Sequence, residues 1–396
     1  MKKLTLTAIG LALMCTTNAH AAGYQLNEYS VTGLGRSFAG AGVMGDDYSA
    51  LAYNPAGMTL IKRSGVQGGL SVAEMQSTIK GNEGYTGQET KMHYGVPLPS
   101  AFGQWNVNDK LFVGAGVYVP YGLSTKHKSG SFISQEARKS ELEVIDSSLA
   151  AAYKLTDKLS VGATVTLRYI HGNMTANLLP YTNAYGDANF DLDGWTGTGI
   201  LGAMYEFTPD TRIGVSYKLR SMQKVKGDFT ANTPYGSMIY DGESAPDLPA
   251  SLLISGYHKL NDKIGLSTSL RWTEWSESFP EFIMKSPAKT VHHNYQWKDT
   301  WTIAVGADYY YNENWTFRVG TAFDQSPARD AENRSNRIPD ADRYWVSAGL
   351  SYSSDNWQVD AGVAHLFMKK ADIKIGVPAE YTSSSNMYGL NFQYKF

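Results

Sequence analysis

From about residue 64 onward, apolar and polar residues alternate along the chain with a period of two. Tyr388, Leu390, Phe392, Tyr394 and Phe396 alternate with Gly389, Asn391, Gln393 and Lys395. The same pattern runs through Leu159, Val161, Ala163, Val165, Leu167 and Tyr169. It recurs in Trp301, Ile303, Val305, Ala307 and Tyr309, and in Trp315, Phe317, Val319 and Phe323. Successive side chains of a strand point to opposite faces, so each run has one apolar face and one of Gly, Ser, Thr and scattered charge. About fourteen such runs are present, near 65–76, 92–105, 111–120, 140–153, 159–171, 195–207, 211–221, 249–259, 263–274, 298–310, 314–323, 343–353, 356–366 and 386–396. Their connectors alternate in length. Short turns fall at sites such as Asn106–Lys110, Pro209–Asp210 and Ser354–Asn356. Long polar connectors lie near 77–91, 121–139, 172–194, 222–248, 275–297, 324–342 and 367–385. An even number of strands with short turns on one side and long loops on the other predicts an all-β fold, a transmembrane antiparallel β-barrel. A soluble sandwich has no reason to sort its loops in this way.

The stretch ahead of this array, Gly33 to Met58, is rich in Gly and Ala, holds the turn pair Asn54-Pro55 and keeps no sustained period. A compact irregular segment before a closed barrel reads as a plug inside the lumen. At the extreme N-terminus, Lys2 and Lys3 precede an apolar run from Leu4 to Met14, and Ala19-His20-Ala21 supplies the small-x-small pattern of a cleavage site. That run is too short to span a bilayer. Export with cleavage before Ala22 is expected. The expected organisation is a leader at 1–21, a plug at 22–64 and a barrel at 65–396.

Composition sharpens this picture. The chain looks soluble by its mean hydropathy of −0.31. It nevertheless holds 26 Tyr, 9 Trp and 39 Gly and is only 18% charged. A barrel hides its hydrophobicity in every second residue and needs aromatic collars at both interfaces, which reconciles the two. The net charge of −2 excludes only a strongly basic nucleic-acid binder. The single cysteine, Cys15, lies in the leader, so neither a disulfide framework nor a Cys-ligated metal is expected. Phe396, closing an alternating aromatic strand, is the kind of C-terminus read by the barrel assembly machinery.

Three stretches carry a family resemblance. AGYQLNEYSVTGLGR at the expected mature start, followed by GAGVMGDD and Asn54-Pro55-Ala56, resembles the N-terminal hatch of the FadL family, outer-membrane channels for long-chain fatty acids and other hydrophobic molecules. The Asn314–Tyr352 stretch, with NWTFRVGTAFDQSP and NRIPDADRYWVSAGLSY, is similar to the family's late strands. RWTEWSESF, Arg271 to Phe279, is a weaker match. The resemblance implies a monomer in the Gram-negative outer membrane, among its lipid and lipopolysaccharide, that takes up a long-chain fatty acid. It implies capture among the loops, an internal site, hatch movement and lateral exit through a kinked strand.

On this resemblance Asn54, Pro55 and Ala56 are the moving part of the hatch, and Pro120, Tyr121 and Gly122 the kink. Proline removes a ladder donor and glycine relaxes the backbone, so the kink has a local cause. Tyr24 and Leu26 are candidates to touch the ligand, with His171, His293 and Lys298 as candidate partners for its head group. The neighbourhood 171–176 lacks Arg and Lys. A neutral His holds an anion less well, and does so in a pH-dependent way. Uptake of uncharged hydrophobes such as aromatic hydrocarbons is therefore the alternative, with a general porin a distant one. Asp46-Asp47 reads as pairing with barrel arginines such as Arg168 or Arg318. Among the loop hydrophobes Phe132, Ile133, Leu178, Leu179, Phe190, Met238 and Ile239 are candidates to line an apolar groove. No G-x-S-x-G or H-E-x-x-H spacing occurs, so no catalytic residue, cofactor or metal is assigned.

Overall fold

The computed structural model describes residues 23–396 apart from 180–181, 279–280 and 286–289, and the side chains at 179, 182–185, 281–284 and 291–294 also stand outside the description. The expected leader, 1–21, lies outside the described residues. Among those described, nineteen strands form one sheet. Fourteen of them make the barrel. They are β1 (Gly65–Gly81), β2 (Glu89–Asn106), β3 (Leu111–Lys126), β4 (Lys139–Lys154), β5 (Leu159–Leu179), β6 (Thr182–Thr208) and β7 (Thr211–Lys218) in the first half. The second half holds β10 (Ser251–Asn261), β11 (Ile264–Thr273), β14 (Thr300–Tyr310), β15 (Trp315–Asp324), β16 (Arg343–Ser353), β17 (Trp357–Met368) and β19 (Ala379–Lys395). The others stand in the long connectors: β8 (Val225–Thr233), β9 (Gly236–Ser244), β12 (Glu281–Lys285), β13 (Thr290–Asn294) and β18 (Ala371–Ile373).

Neighbouring barrel strands pair antiparallel, and the circle closes where β1 meets β19, from Gly65↔Lys395 to Gly81↔Ala379. Closure removes the free edges, so the paired strands satisfy their backbone donors and acceptors within the wall. The alternation read from the sequence sets the two faces. Leu149, Val165, Leu201, Val319 and Leu390 each keep more than half their surface uncovered by protein, because they face lipid. Aromatic collars bound this belt. Trp105, Tyr153, Tyr205, Trp315, Trp357 and Tyr394 gather by the short turns; Tyr169 beside Trp195, Trp272 beside Trp301 and Phe323 beside Tyr344 mark the far end. No helix among the described residues is long and apolar enough to cross a membrane.

The long connectors differ from expectation. The segment 172–194 is not a loop: β5 and β6 continue through it as a paired hairpin, from Gly172↔Leu192 to Asn177↔Asp187. The connector at 222–248 holds β8 and β9, and β8 adds to β6 through Asp193↔Lys226. Beyond the collar the outward positions no longer face lipid hydrocarbon. At the same parity as the outward Val165 and Leu167 stand Asn173, Thr175 and Asn177, buried against polar neighbours such as Asn189 and Ser134, and the apolar alternation that marks a membrane strand disappears while the ladder goes on.

Residues 23–64 lie against the inward face of the wall. A helical turn at Val31–Leu34 packs on β16, β17 and β19, and 3-10 turns at Tyr48–Ala52 and Pro55–Leu60 pack on β2 to β7. A buried ionic network ties this segment down. Arg36 Nη1 meets Asp46 Oδ2 at 2.7 Å and Asp308 Oδ1 at 3.0 Å, and Arg318 meets the same two carboxylates at 3.3 and 3.1 Å. Arg168 is engaged elsewhere, held by Asp146 at 2.6 and 2.7 Å. Asp47 accepts from Ser30, Thr32 and Ser49 and caps the Tyr48 turn.

Candidate functional site: an apolar pocket above a bulged strand

Asn54 caps the Pro55–Leu60 turn by accepting from Ala56 N at 3.1 Å, and its Nδ2 donates to the Ala203 carbonyl of β6 at 3.1 Å. Pro55 suits the first helical position, where its missing N–H is no loss. The fit to the wall is close. A Cβ on Gly202 would stand 2.1 Å from Asn54 Oδ1, so only glycine lets this turn approach β6. The Asn54-Pro55-Ala56 triplet is therefore docked on the inner wall, with Asn54 bridging turn and barrel.

The upper half of β3 departs from the barrel wall. Against β4 its register slips between Tyr118↔Asp146 and Tyr121↔Val144, a bulge of one residue that brackets Val119 and Pro120. Against β2 the pairing runs only from Asn106↔Phe112 to Ala101↔Val117, although β2 continues to pair with β1 as far as Glu89. A gap in the ladder between β2 and β3 thus opens above Val117. Below the bulge burial alternates; from Tyr118 to Thr125 every residue is buried, so both faces of the strand are covered by protein. The start of the chain fills the freed edge. Leu26 N donates to the Pro120 carbonyl at 2.8 Å, Gly122 N donates to the Tyr24 carbonyl at 2.9 Å, and Gln25 bridges Tyr121.

Tyr24 forms the floor of a partly open apolar pocket with a cavity volume of about 60 Å³. Its walls are Leu123 on β3, Leu142 on β4, Ile170 and Met174 on β5, Phe190 and Leu192 on β6, Val225 on β8 and Ile338. Tyr24 is set by aromatic neighbours: Trp275 at 4.9 Å, Trp297 at 5.9 Å and Tyr121 at 6.2 Å between ring centroids. Tyr121 in turn lies under two cations, Lys218 Nζ at 4.7 Å and Arg168 at 5.1 Å from its centroid. Arg168 is neutralised by Asp146. Among the described residues no carboxylate lies within ion-pair distance of Lys218. Arg271, inward on β11, donates to Asn27. The arrangement offers an oily compartment above and a lysine without a carboxylate partner below, separated by two tyrosine rings.

Tyr24, Pro120, Tyr121 and Gly122 thus come together, with Leu26 buried one turn of backbone away. His171 is placed elsewhere. Even-numbered residues of β5 line the pocket, so His171 lies on the outward face, where Nε2 meets Asp191 Oδ1 at 2.9 Å. His293 falls in β13 among the side chains outside the description. Lys298 is half-buried behind Trp297, its N–H on the Pro327 carbonyl at 2.9 Å. Of the seven loop hydrophobes, Phe190 lines the pocket. Phe132 and Ile133 pack with Ile79, Ile373 and Tyr381, Met238 and Ile239 are exposed, Leu178 is half-buried outside the pocket lining, and the side chain of Leu179 is outside the description. Lys218, Trp275 and Trp297 were not expected. Lys218 sits at an inward position ending β7, a signal that strand parity alone carries. No three His, Cys, Asp or Glu side chains among the described residues are placed to hold a metal.

Residues 12–396 match the model of the outer membrane protein transport protein family, OMPP1/FadL/TodX. The chain belongs to this family. It is 33% identical to a 47 kDa outer membrane protein of Pasteurella multocida, with 99% of this chain and 98% of that protein covered. It is 29% identical to a long-chain fatty acid transport protein of an Escherichia coli O6:H1 strain, covering 98% and 97%. In structure it is similar to a Pseudomonas aeruginosa FadL homologue, at a TM-score of 0.87 and 24% identity over 95% of this chain and all (100%) of that one. This FadL-family chain is an outer-membrane β-barrel transporter of long-chain fatty acids or other hydrophobic compounds.

Proposed function

We propose that the chain takes up a long-chain fatty acid, which enters the apolar pocket, passes Tyr24 into the lumen and leaves sideways between β2 and β3. The observation that carries this reading is the join between pocket and bulge: Tyr24 floors the first and is hydrogen-bonded to the second. Displacing Tyr24 opens the floor and frees the β3 edge in one movement. The Asn54-Pro55-Ala56 turn belongs to the same covalent segment and follows from its seat on β6. Lys218 receives the carboxylate. Its amine has no carboxylate partner among the described residues, so an arriving carboxylate supplies the counter-charge that holds it as an ammonium. Nothing in this passage requires bond-making chemistry, and the function is transport rather than catalysis.

The test is displacement of a fluorescent long-chain fatty acid from the purified barrel by oleate and by methyl oleate. Oleate is expected to compete at least tenfold better, and Lys218→Met to erase that difference while leaving the ester unchanged. Equal competition by ester and acid in the native protein would replace this reading with transport of uncharged hydrophobes. Conductance without saturable binding would leave a porin.

A further inference from the structure

On the outer side of the wall, just above the far collar, lies a groove that the passage described above does not use. Trp195 faces outward on β6, 61% exposed. Two residues nearer the hairpin tip, Asp193 pairs with Lys226 of β8, Lys226 with Glu243 of β9, and Glu243 with Lys285 of β12. Residues directly opposite in a ladder share a face, so this row looks the same way as Trp195. Two residues of a strand tilted near 45° rise roughly 5 Å. The row therefore stands one short step above the collar, at the height of lipid head groups.

Lys224, Lys226 and Lys285 line a single open groove of about 550 Å³, together with Val225, Glu243, Ser244 and Ala245. Among the described residues none of the three lysines has a carboxylate within ion-pair distance. Other lysines of the upper half are committed: Lys80 and Lys91 stand on Glu89, Lys126 and Lys139 on Glu141, Lys370 on Glu380 and Lys374 on Glu332. Glu243 is the one acidic side chain in the groove lining, so positive charge exceeds negative there by two. Asp193 ends the row outside the lining. The next row up is wholly acidic, with Asp191, Asp228 and Asp241 side by side. Positive charge is thus confined to a narrow band. An anion descending from the medium passes the acidic row first, whereas one held at head-group height meets the lysines directly.

We propose that this groove binds a phosphate of lipopolysaccharide, the glycolipid whose sugar phosphates lie just above its acyl chains. An ammonium suits phosphate as a point charge with three donors. The surplus of two charges matches a phosphate dianion. The acyl chains run down the outward face beside Trp195 and Met222, the latter 75% exposed. The phosphate bridges β8 to β12 across β9. Among the described residues β9 and β12 pair at two positions, Met284↔Ser244 and Lys285↔Glu243, so the bound glycolipid reinforces a short ladder.

The experiment follows acetylation of individual lysines by an N-hydroxysuccinimide ester, read by peptide mass spectrometry, on purified barrel stripped of lipopolysaccharide. Electrophoretic heat-modifiability verifies folding. The probes are lipid A, lipid A with its phosphates removed, and inorganic phosphate. Each lysine at an anionic surface is worth roughly fivefold in affinity, so lipid A is expected to slow Lys224, Lys226 and Lys285 by about that factor or more. Lys158, exposed in a short turn at the opposite rim, is expected to keep its rate. Neither dephosphorylated lipid A nor inorganic phosphate is expected to protect the three. The combined Lys224→Gln, Lys226→Gln and Lys285→Gln variant is expected to retain lipid A at least about tenfold more weakly, as native mass spectrometry counts it. Equal protection by dephosphorylated lipid A overturns the proposal, as does equal slowing of Lys158. Protection by inorganic phosphate alone makes this a free-anion site and overturns the glycolipid assignment. Retention by the variant equal to native overturns it too. Should that variant not fold, the rates at single lysines of the native protein decide. No free fatty acid takes part, so the outcome is independent of the transport reading.

Discussion

Buried ionisable side chains set the behaviour of this molecule at the scale of single residues. His127, just beyond β3 and 6% exposed, has its imidazole pushed down to about 4 by burial, with Arg337 adding to the effect. The unfolded loop takes up a proton near pH 6.5 and the folded loop does not, so stability present above pH 6.5 is lost as pH falls toward 4. The full loss is about 3 kcal/mol. Limited proteolysis between Lys126 and Arg138 should accelerate across that window, and His127→Phe should flatten the dependence. The Asp308 carboxylate joins Arg36 to Arg318, and Asp308→Asn leaves both cations sharing Asp46 alone. A loss of about 3 kcal/mol is expected, as for other broken buried pairs; hydrogen exchange of Leu34 to Gly45 would report it. The arginine that meets Asp46 was legible in the sequence as Arg318. That Arg168 belongs to Asp146 was not, because pairing within a wall depends on strand register.

At the scale of elements, the informative one is β3, where strand, bulge and N-terminal segment meet. Gln25 and Tyr121 face each other as a pair without mutual backbone hydrogen bonds, with Cα atoms about 4.5 Å apart. That spacing suits a disulfide, and no cysteine follows Cys15 to interfere. Gln25→Cys with Tyr121→Cys should, when oxidised, abolish uptake of a fatty acid into cells, and reduction should restore it. Uptake unaffected by oxidation would separate the bulge from the passage. Pro120 and Gly122 marked this point in the sequence as one where a ladder weakens, and the register slip falls beside them. The bonds from Leu26 and Tyr24 to this bulge were beyond sequence reading, because they join segments about a hundred residues apart. His171 shows the opposite failure. Its type suggested anion binding, but its parity on β5 turns it outward to Asp191, and Lys218 two strands away occupies the inward place instead.

For the whole molecule, the barrel's integrity rests on its own closure. β1 and β19 pair along their full length, so deleting Leu26–Leu60 should leave a heat-modifiable barrel on a gel, now with ion conductance in planar bilayers. Absence of the folded band would mean that the inner segment is needed to hold the wall. The fourteen-strand circle was legible because lipid imposes alternation on every crossing strand. The hairpins above the collar were not, because no hydrocarbon imposes it there. Those hairpins carry a further consequence. Met174 stands five residues beyond Tyr169 at the collar, roughly 16 Å along the strand and about 12 Å in height for a strand tilted near 45°. The mouth of the pocket therefore sits at the altitude of the sugars that coat the cell, above the acyl chains. On the transport reading, a fatty acid caught there is bound before it meets the outer leaflet, and the rate of capture is expected to follow its arrival from the medium rather than the fluidity of the membrane beneath.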